Sequence, residues 1–163
     1  FDPLHDGHQR LAAAASDIIG MPVTFELSIA NVDKPSLEEP EVRGRVQQFS
    51  GNAPVIVSRA ETFNKKARLF PGCTFVIGYD TAVRLLHPRY YGGEESQALT
   101  SFVEMRGLGC RFLVAGREDD GVFRTLDDLD VHRGLDDMFS PIPASMFRAD
   151  ISSTVLRLAS TED

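Results

Sequence analysis

Short apolar segments alternate with helical segments along most of this chain, and this alternation limits the fold more than any other feature. Strands are predicted at residues 21–30, 54–58, 73–78, 110–115 and 139–142. Helices are predicted at residues 8–19, 41–49, 62–69, 81–86, 94–105 and 151–159. Strands that are apolar almost throughout and are separated by helices indicate a parallel sheet covered on both faces. We therefore expect an α/β fold with a doubly wound, Rossmann-like parallel sheet, in which 54–58 and 73–78 are buried strands.

The composition suits one globular domain that spans residues 1–163. The chain is 42% hydrophobic, which provides a substantial core, and it has no apolar run near the roughly 20 residues that a membrane span requires. A net charge of −7 argues against general nucleic-acid binding, although a polyphosphate can still be held by a few local cations and helix N-termini. Cys73 and Cys110 lie far apart within apolar segments, so we expect buried, reduced thiols and a cytoplasmic location. A disulfide between them is an open alternative, although no framework of further cysteines supports it.

The first eight residues, FDPLHDGH, place two histidines around a glycine at the start of a predicted helix. A helix N-terminus offers unpaired N–H groups and partial positive charge, and Gly7 lets the backbone approach a bulky anion. The imidazoles of His5 and His8 can donate to phosphate oxygens and stabilise charge that develops in a transition state. The alternative is that both histidines cap the helix or bind a structural metal. The four residues HDGH alone do not distinguish this alternative from phosphate binding.

A second polar motif, ISSTVLR, starts the last predicted helix at residue 151. Serines at a helix start are ordinary N-caps, which is one reading. The same hydroxyl and N–H groups also suit the β- and γ-phosphates of a nucleotide. Arg157 lies one turn along the same side of the helix and is a suitable clamp for a polyphosphate.

Together the two motifs resemble those of the HxGH nucleotidyltransferases, a superfamily of cytidylyltransferase-like fold. FDPLHDGH is similar to the GxFxPxHxGH signature of the family, and ISSTVLR is similar to its C-terminal ISSTxIR signature. The chain is closest to the nicotinamide-mononucleotide adenylyltransferases. The family's Gly two positions before Phe1 is absent, and a strand normally precedes such a loop, so we expect the sequence to lack the first strand of its domain.

The resemblance implies transfer of AMP from ATP to a phosphorylated acceptor, with release of pyrophosphate and with Mg²⁺ on the phosphates. His5 and His8 would contact the triphosphate, and His8 would be the main stabiliser of the transition state. Arg157 would complete the catalytic set, together with Lys34 from the loop that follows the first predicted strand. The nucleotide-binding positions at the two ends of the chain would be Phe1, Pro3, Gly7, Ile151, Ser152, Ser153 and Thr154. No protein ligand set for a metal is expected.

The middle of the chain adds three nucleotide-binding candidates. Residues 75–81, FVIGYDT, resemble the strand-end IGxD stretch of the nicotinamide-nucleotide enzymes. Gly78 would allow close approach, and Asp80 would accept from ribose hydroxyls or, equally well, cap the next helix. Arg117 follows another strand, where related enzymes place an adenine or phosphate contact. Ligands of open α/β sheets bind outside the carboxyl ends of the strands, where all three residues are expected.

The sequence indicates the type of reaction more firmly than the identity of the acceptor. Residues 58–63 are a candidate wall of the acceptor site, and Phe63 either stacks on a flat ring or belongs to the core. Tyr90 and Tyr91 are candidates for a pocket or for a surface between copies of the chain, so a homo-oligomer remains open. Arg43 is expected on a solvated helix face.

Three alternatives to a nicotinamide-mononucleotide adenylyltransferase remain. The chain has no Trp, whereas nicotinamide-nucleotide enzymes carry a Trp-rich stretch near the acceptor ring. A phosphopantetheine adenylyltransferase-like enzyme, a cytidylyltransferase-like enzyme and a nucleotide-binding module without turnover are therefore retained. All of these readings imply small-molecule ligands, with no nucleic-acid or membrane partner.

Overall fold

The structure, a computed structural model, describes residues 3–33, 35–51, 53–119 and 121–148. It is a mixed α/β arrangement with parallel strands. The helices of the described part are α1 (Asp6–Ile19), α2 (Glu39–Gln47), α3 (Phe63–Leu69), α4 (Tyr79–Leu86) and α5 (Glu95–Gly107). The strands are β1 (Phe25–Ser28), β2 (Val55–Ser58), β3 (Thr74–Gly78), β4 (Arg111–Ala115), β5 (Arg117–Asp119), β6 (Val122–Arg124) and β7 (Phe139–Ile142). Short 3-10 turns lie at Pro88–Tyr91, Leu126–Asp128 and Asp136–Met138.

The central sheet has three parallel strands in the order β3-β4-β7. Because side chains alternate along a strand, the apolar residues of β4 divide between the two faces. Phe112 and Val114 pack with residues of α3, α4 and α5, whereas Leu113 and Ala115 pack with the alanines of α1. Helices therefore cover both faces of this sheet, as its nearly continuous apolar strands predict.

Strands β1 and β2 form a second parallel pair, with Phe25 opposite Val55 and Ser28 opposite Ser58. The prediction that 54–58 is a buried strand is wrong, because Ile56 is 38% and Val57 46% exposed. Among the described residues β2 pairs only with β1, so it lies at an edge. Helix α3 contacts both sheets: Lys66 pairs with Glu26 of β1, and the ring of Phe63 lies 5.3 Å from that of Phe75 in β3.

The acidic stretch after β4, where no element was predicted, contains an antiparallel hairpin of β5 and β6. Gly116 makes this turn possible, because a Cβ atom there would lie 2.7 Å from the ring of Phe123 and 2.8 Å from a backbone oxygen. The close packing of Phe123 on Gly116 fixes the direction in which β5 leaves the sheet. It therefore also fixes the position of Arg117, the first residue of β5.

The remaining predicted elements agree with the structure to within a few residues at their ends, and the last strand, 139–142, agrees at both ends. The predicted helix at 151–159 lies outside the described residues. Within the described ranges, no helix has both the length and the apolar character needed to cross a membrane.

Candidate functional site

The histidine loop forms the N-terminal end of α1, with His5 as the N-cap residue. The His5 backbone N–H donates to Nδ1 of His8 over 3.2 Å, and the two ring centroids are 3.8 Å apart. A Cβ atom on Gly7 would lie 3.0 Å from two atoms of the His5 ring, so glycine leaves the space that the ring occupies. The backbone N–H of Leu4 donates to Oε1 of Gln48 over 2.6 Å, which ties the loop to the end of α2. The loop is therefore a fixed pair of imidazoles rather than two independent side chains.

Burial determines the charge of this pair. It lowers the pKa of His5, and it lowers the pKa of His8 from 6.5 to about 4, with a further contribution from the neighbouring His5. His8 is therefore neutral at neutral pH. Because its Nδ1 accepts a hydrogen bond, the proton of the neutral ring lies on Nε2. His8 is thus a neutral N–H donor, held at the positive end of a helix.

The low pKa of His8 makes stability depend on pH. An unfolded His binds a proton near pH 6.5, whereas His8 in the folded protein resists protonation down to about pH 4. Between these values the unfolded state holds more protons, so the free energy of unfolding falls as the pH is lowered through this window. Thermal melts between pH 7 and pH 4 should show this decrease, and His8→Gln should reduce its slope. An equal slope in the variant would contradict the assignment.

A second group of predicted residues meets at the carboxyl ends of β3 and β4. Strand β3 passes directly into α4, with Gly78 as the N-cap residue. Asp80 is not the N-cap of α4, because Gly78 holds that position and no side-chain hydrogen bond caps the helix. The Asp80 carboxylate pairs with the guanidinium of Arg117. Among the described residues, a Cβ atom on Gly78 would meet nothing within 4 Å, so that part of the chain leaves space beside this strand end. The structure therefore brings together Asp80 and Arg117, two candidates that lie far apart in the sequence.

A cleft of about 240 Å³ opens between the loop that follows β1, the start of α3, helix α4 and the 3-10 turn at Pro88–Tyr91. The predicted wall segment contributes Glu61, Thr62 and Phe63. Phe63 packs edge-on against Phe75 and Phe112, which confirms its role in the core. It also lines the cleft, where stacking on a flat ring stays a prediction. Tyr90 and Tyr91 are also in the lining, so the pocket reading of these tyrosines is confirmed.

The charged groups of the cleft are mostly paired. Asp33 accepts from Nη2 of Arg89 and from the Tyr90 hydroxyl, both over 2.7 Å, and the Tyr90 hydrogen bond is the main reason that the pKa of Asp33 is lowered. Glu61 pairs with Lys65. Arg84 differs from these groups. Its Nε donates to the backbone oxygen of Asp80 over 3.3 Å, and the ion pairs of the described residues do not include it.

A buried polar cluster supports one side of the cleft. Lys66, only 8% exposed, lines the cleft and donates to Oε2 of Glu26, while the Ser58 hydroxyl donates to Oε1. This cluster was not predicted from the sequence. A Glu within the short apolar strand FELS was the available signal, because an isolated charge in such a strand needs a partner on a neighbouring element.

Several predicted residues are placed elsewhere or are not described. Pro3 is exposed at the start of the histidine loop, and Arg43 pairs with Glu39 on an exposed face of α2, as expected. The candidates outside the described residues are Phe1, Lys34, Ile151, Ser152, Ser153, Thr154 and Arg157. Their proximity to His8 therefore stays a prediction.

The described residues contain no group of three or more His, Cys, Asp or Glu side chains placed to hold a metal ion. No protein-family model, curated protein or solved structure matches the chain. The function is therefore inferred from the two sequence motifs and from the geometry of the histidine loop and the cleft.

Proposed function

We propose that this protein is a nucleotidyltransferase that transfers AMP from ATP to a phosphorylated acceptor such as nicotinamide mononucleotide, with release of pyrophosphate. The observation that carries the proposal is the histidine loop: two neutral imidazoles in close contact at the N-terminus of a helix, in a sequence that resembles the HxGH signature. Its counterpart is the ISSTVLR motif, whose Arg157 is assigned to the leaving phosphates on the basis of sequence. We also propose that the chain is a single domain with a doubly wound, Rossmann-like sheet. Its expected location is the cytoplasm.

The chemistry follows from where charge develops. The acceptor phosphate attacks the α-phosphorus of ATP, the bond to the β-phosphate oxygen breaks, and negative charge accumulates on the oxygens in transit. A donor that is already fixed stabilises this charge without reorganisation at the moment of reaction. The His8 Nε2–H and the N-terminus of α1 supply such donors. Mg²⁺ is expected on the triphosphate oxygens, where it would neutralise part of their charge.

The cleft beside α4 supports the acceptor half of the proposal. Its lining combines the aromatic residues Phe63 and Tyr91 with Arg84, a set that suits a flat ring carrying an anionic group. The cleft is also close to Asp80, a predicted nucleotide-binding residue. Asp80 and Arg84 lie one turn apart on α4, and Nε of Arg84 donates to the backbone oxygen of Asp80. Tyr and Phe would take the stacking role that Trp has in the nicotinamide-nucleotide enzymes.

The test is pyrophosphate release from ATP and Mg²⁺ with a panel of acceptors that contains nicotinamide mononucleotide and phosphopantetheine, repeated with CTP. We expect release with ATP and one acceptor, and a product whose mass is that of the adenylylated acceptor. ATP binding by calorimetry without product from any acceptor would indicate a nucleotide-binding module. Turnover with CTP alone would indicate a cytidylyltransferase.

Arg84→Ala tests the acceptor site separately. A charge-assisted hydrogen bond contributes about 1.5–3 kcal/mol, so KM for the acceptor should rise by about 10-fold or more while KM for ATP stays nearly constant. Arg106→Ala is the matched control, because Arg106 pairs with Asp137 and does not line the cleft. Equal effects of the two substitutions on the acceptor KM would remove Arg84 from the site.

A further inference from the structure

The two cysteines of the chain, 37 positions apart in sequence (73 and 110), meet in the fold. Cys73 immediately precedes β3 and Cys110 immediately precedes β4, and these strands pair in parallel with Thr74 opposite Arg111. The register therefore places Cys73 directly opposite Cys110. Neighbouring strands are about 4.8 Å apart, which lies within the range of Cα separations that a disulfide spans.

Backbone contacts hold the two chain segments together at this point. The Arg111 N–H donates to the Cys73 oxygen over 3.1 Å, and the Gly72 N–H donates to the Leu108 oxygen over 2.8 Å. A Cβ atom on Gly109 would lie 3.4 Å from the Cα of Gly72, so the residues just before the two cysteines are also in contact. The approach of the thiols is therefore built into the sheet rather than into side-chain rotation.

Both thiols are in the reduced form. The Cys110 thiol donates to the Phe70 oxygen over 3.5 Å. Cys110 is fully buried, whereas Cys73 is partly exposed and gives a reagent access to the pair. Burial raises the pKa of Cys73 to about 12, which leaves little thiolate at neutral pH and makes any reaction slow.

We propose that Cys73 and Cys110 are a disulfide modification site, oxidised by a low-molecular-weight disulfide such as glutathione disulfide. The Cys73 thiolate attacks one sulfur of glutathione disulfide, forms a mixed disulfide and releases one glutathione. The Cys110 thiolate then attacks Sγ of Cys73, the Cys73–Cys110 bond forms and the second glutathione leaves. Each cysteine loses a proton, and the two electrons of the dithiol reduce the glutathione disulfide. This site does not depend on the proposed nucleotidyl transfer.

The bridge would lock the amino ends of β3 and β4, the two strands whose carboxyl ends carry Gly78, Asp80 and Arg117. It would also close a loop that contains α4 and α5. A cross-link over a loop of this length restricts the unfolded chain strongly. The oxidised protein is therefore expected to melt higher than the reduced protein, by about 5 °C or more.

The experiment incubates the native protein with excess glutathione disulfide over hours and, in a second arm, refolds it from urea in a glutathione redox buffer. We expect both thiols to disappear together, a peptide that links residues 73 and 110 in the mass map, and the higher melting temperature. Cys73→Ser and Cys110→Ser should show neither the link nor the rise in melting temperature. A stable glutathione adduct at Cys73 with Cys110 still reduced, a disulfide between two molecules, or two free thiols after oxidative refolding would each overturn the proposal.

Discussion

Replacing His8 by Ala is expected to lower the turnover number by about 10²–10³-fold, measured as pyrophosphate release at saturating substrates. The loss follows from the geometry of the histidine loop, in which the His8 Nε2–H is a fixed neutral donor at a helix N-terminus. Because the donor acts on charge that develops in the transition state, KM for ATP should change far less than the turnover number.

His8 also accepts a hydrogen bond from the His5 backbone, so its removal costs some helix stability, about 0.5–2 kcal/mol for a lost cap. His8→Gln separates the two roles, because glutamine at this position can still accept from the N-cap N–H. The Gln variant should retain most of the stability and remain nearly inactive. His132→Ala is the control, since His132 pairs with Glu95 outside the loop. If the Ala variant turns over within a few-fold of the unmodified protein, His8 is not the stabiliser.

Replacing Glu26 by Ala is expected to lower the free energy of unfolding by about 3 kcal/mol, measured by urea denaturation. The substitution leaves Lys66, whose side chain is only 10% exposed, without the carboxylate that neutralises it. An unpaired buried charge costs more than the intact pair contributes, so breaking such a pair typically costs about 3–5 kcal/mol. The lower end applies because the Glu26 side chain is 23% exposed.

The double variant Glu26→Ala/Lys66→Met identifies the cause. Removing the unpaired Lys66 ammonium should recover most of the lost stability, because methionine, an apolar side chain of similar length, has no desolvation cost in that position. Glu39→Ala is the matched control: its carboxylate pairs with Arg43 in a pair that is about three-quarters exposed, and its loss should cost less than about 0.5 kcal/mol. Equal effects of Glu26→Ala and Glu39→Ala would show that the Glu26 pair is not effectively buried.

The order of elements was predictable from sequence because it depends on local periodicity, which is visible in single segments such as 73–78. The exposure of β2 was not predictable from sequence. Val55, Ile56 and Val57 have the composition of a central strand, although their strand lies at an edge. Edge position depends on partners elsewhere in the chain, and no local pattern records it. The hairpin at β5 and β6 was missed for a similar reason: its packing depends on the absence of a side chain at Gly116.

The site divides in the same way. The histidine loop was visible because its residues are contiguous, and the structure adds the close, tilted contact of the rings and the lowered pKa of His8. The pairing of Asp80 with Arg117 required the register of β3 and β4, and the cleft required four separate segments to meet. Sequence named several of the cleft residues, including Phe63 and Tyr90, but gave Lys66 no role.

Phe63 links the cleft to the interior of the protein, since its ring packs against both Phe75 and Phe112 while it lines the opening. A compound that binds against this ring binds the folded state and not the unfolded chain. It therefore raises the melting temperature of the protein. Dye-reported melting of the protein against a library of phosphorylated metabolites is therefore a direct way to find what the cleft accepts, without any assumption about the reaction.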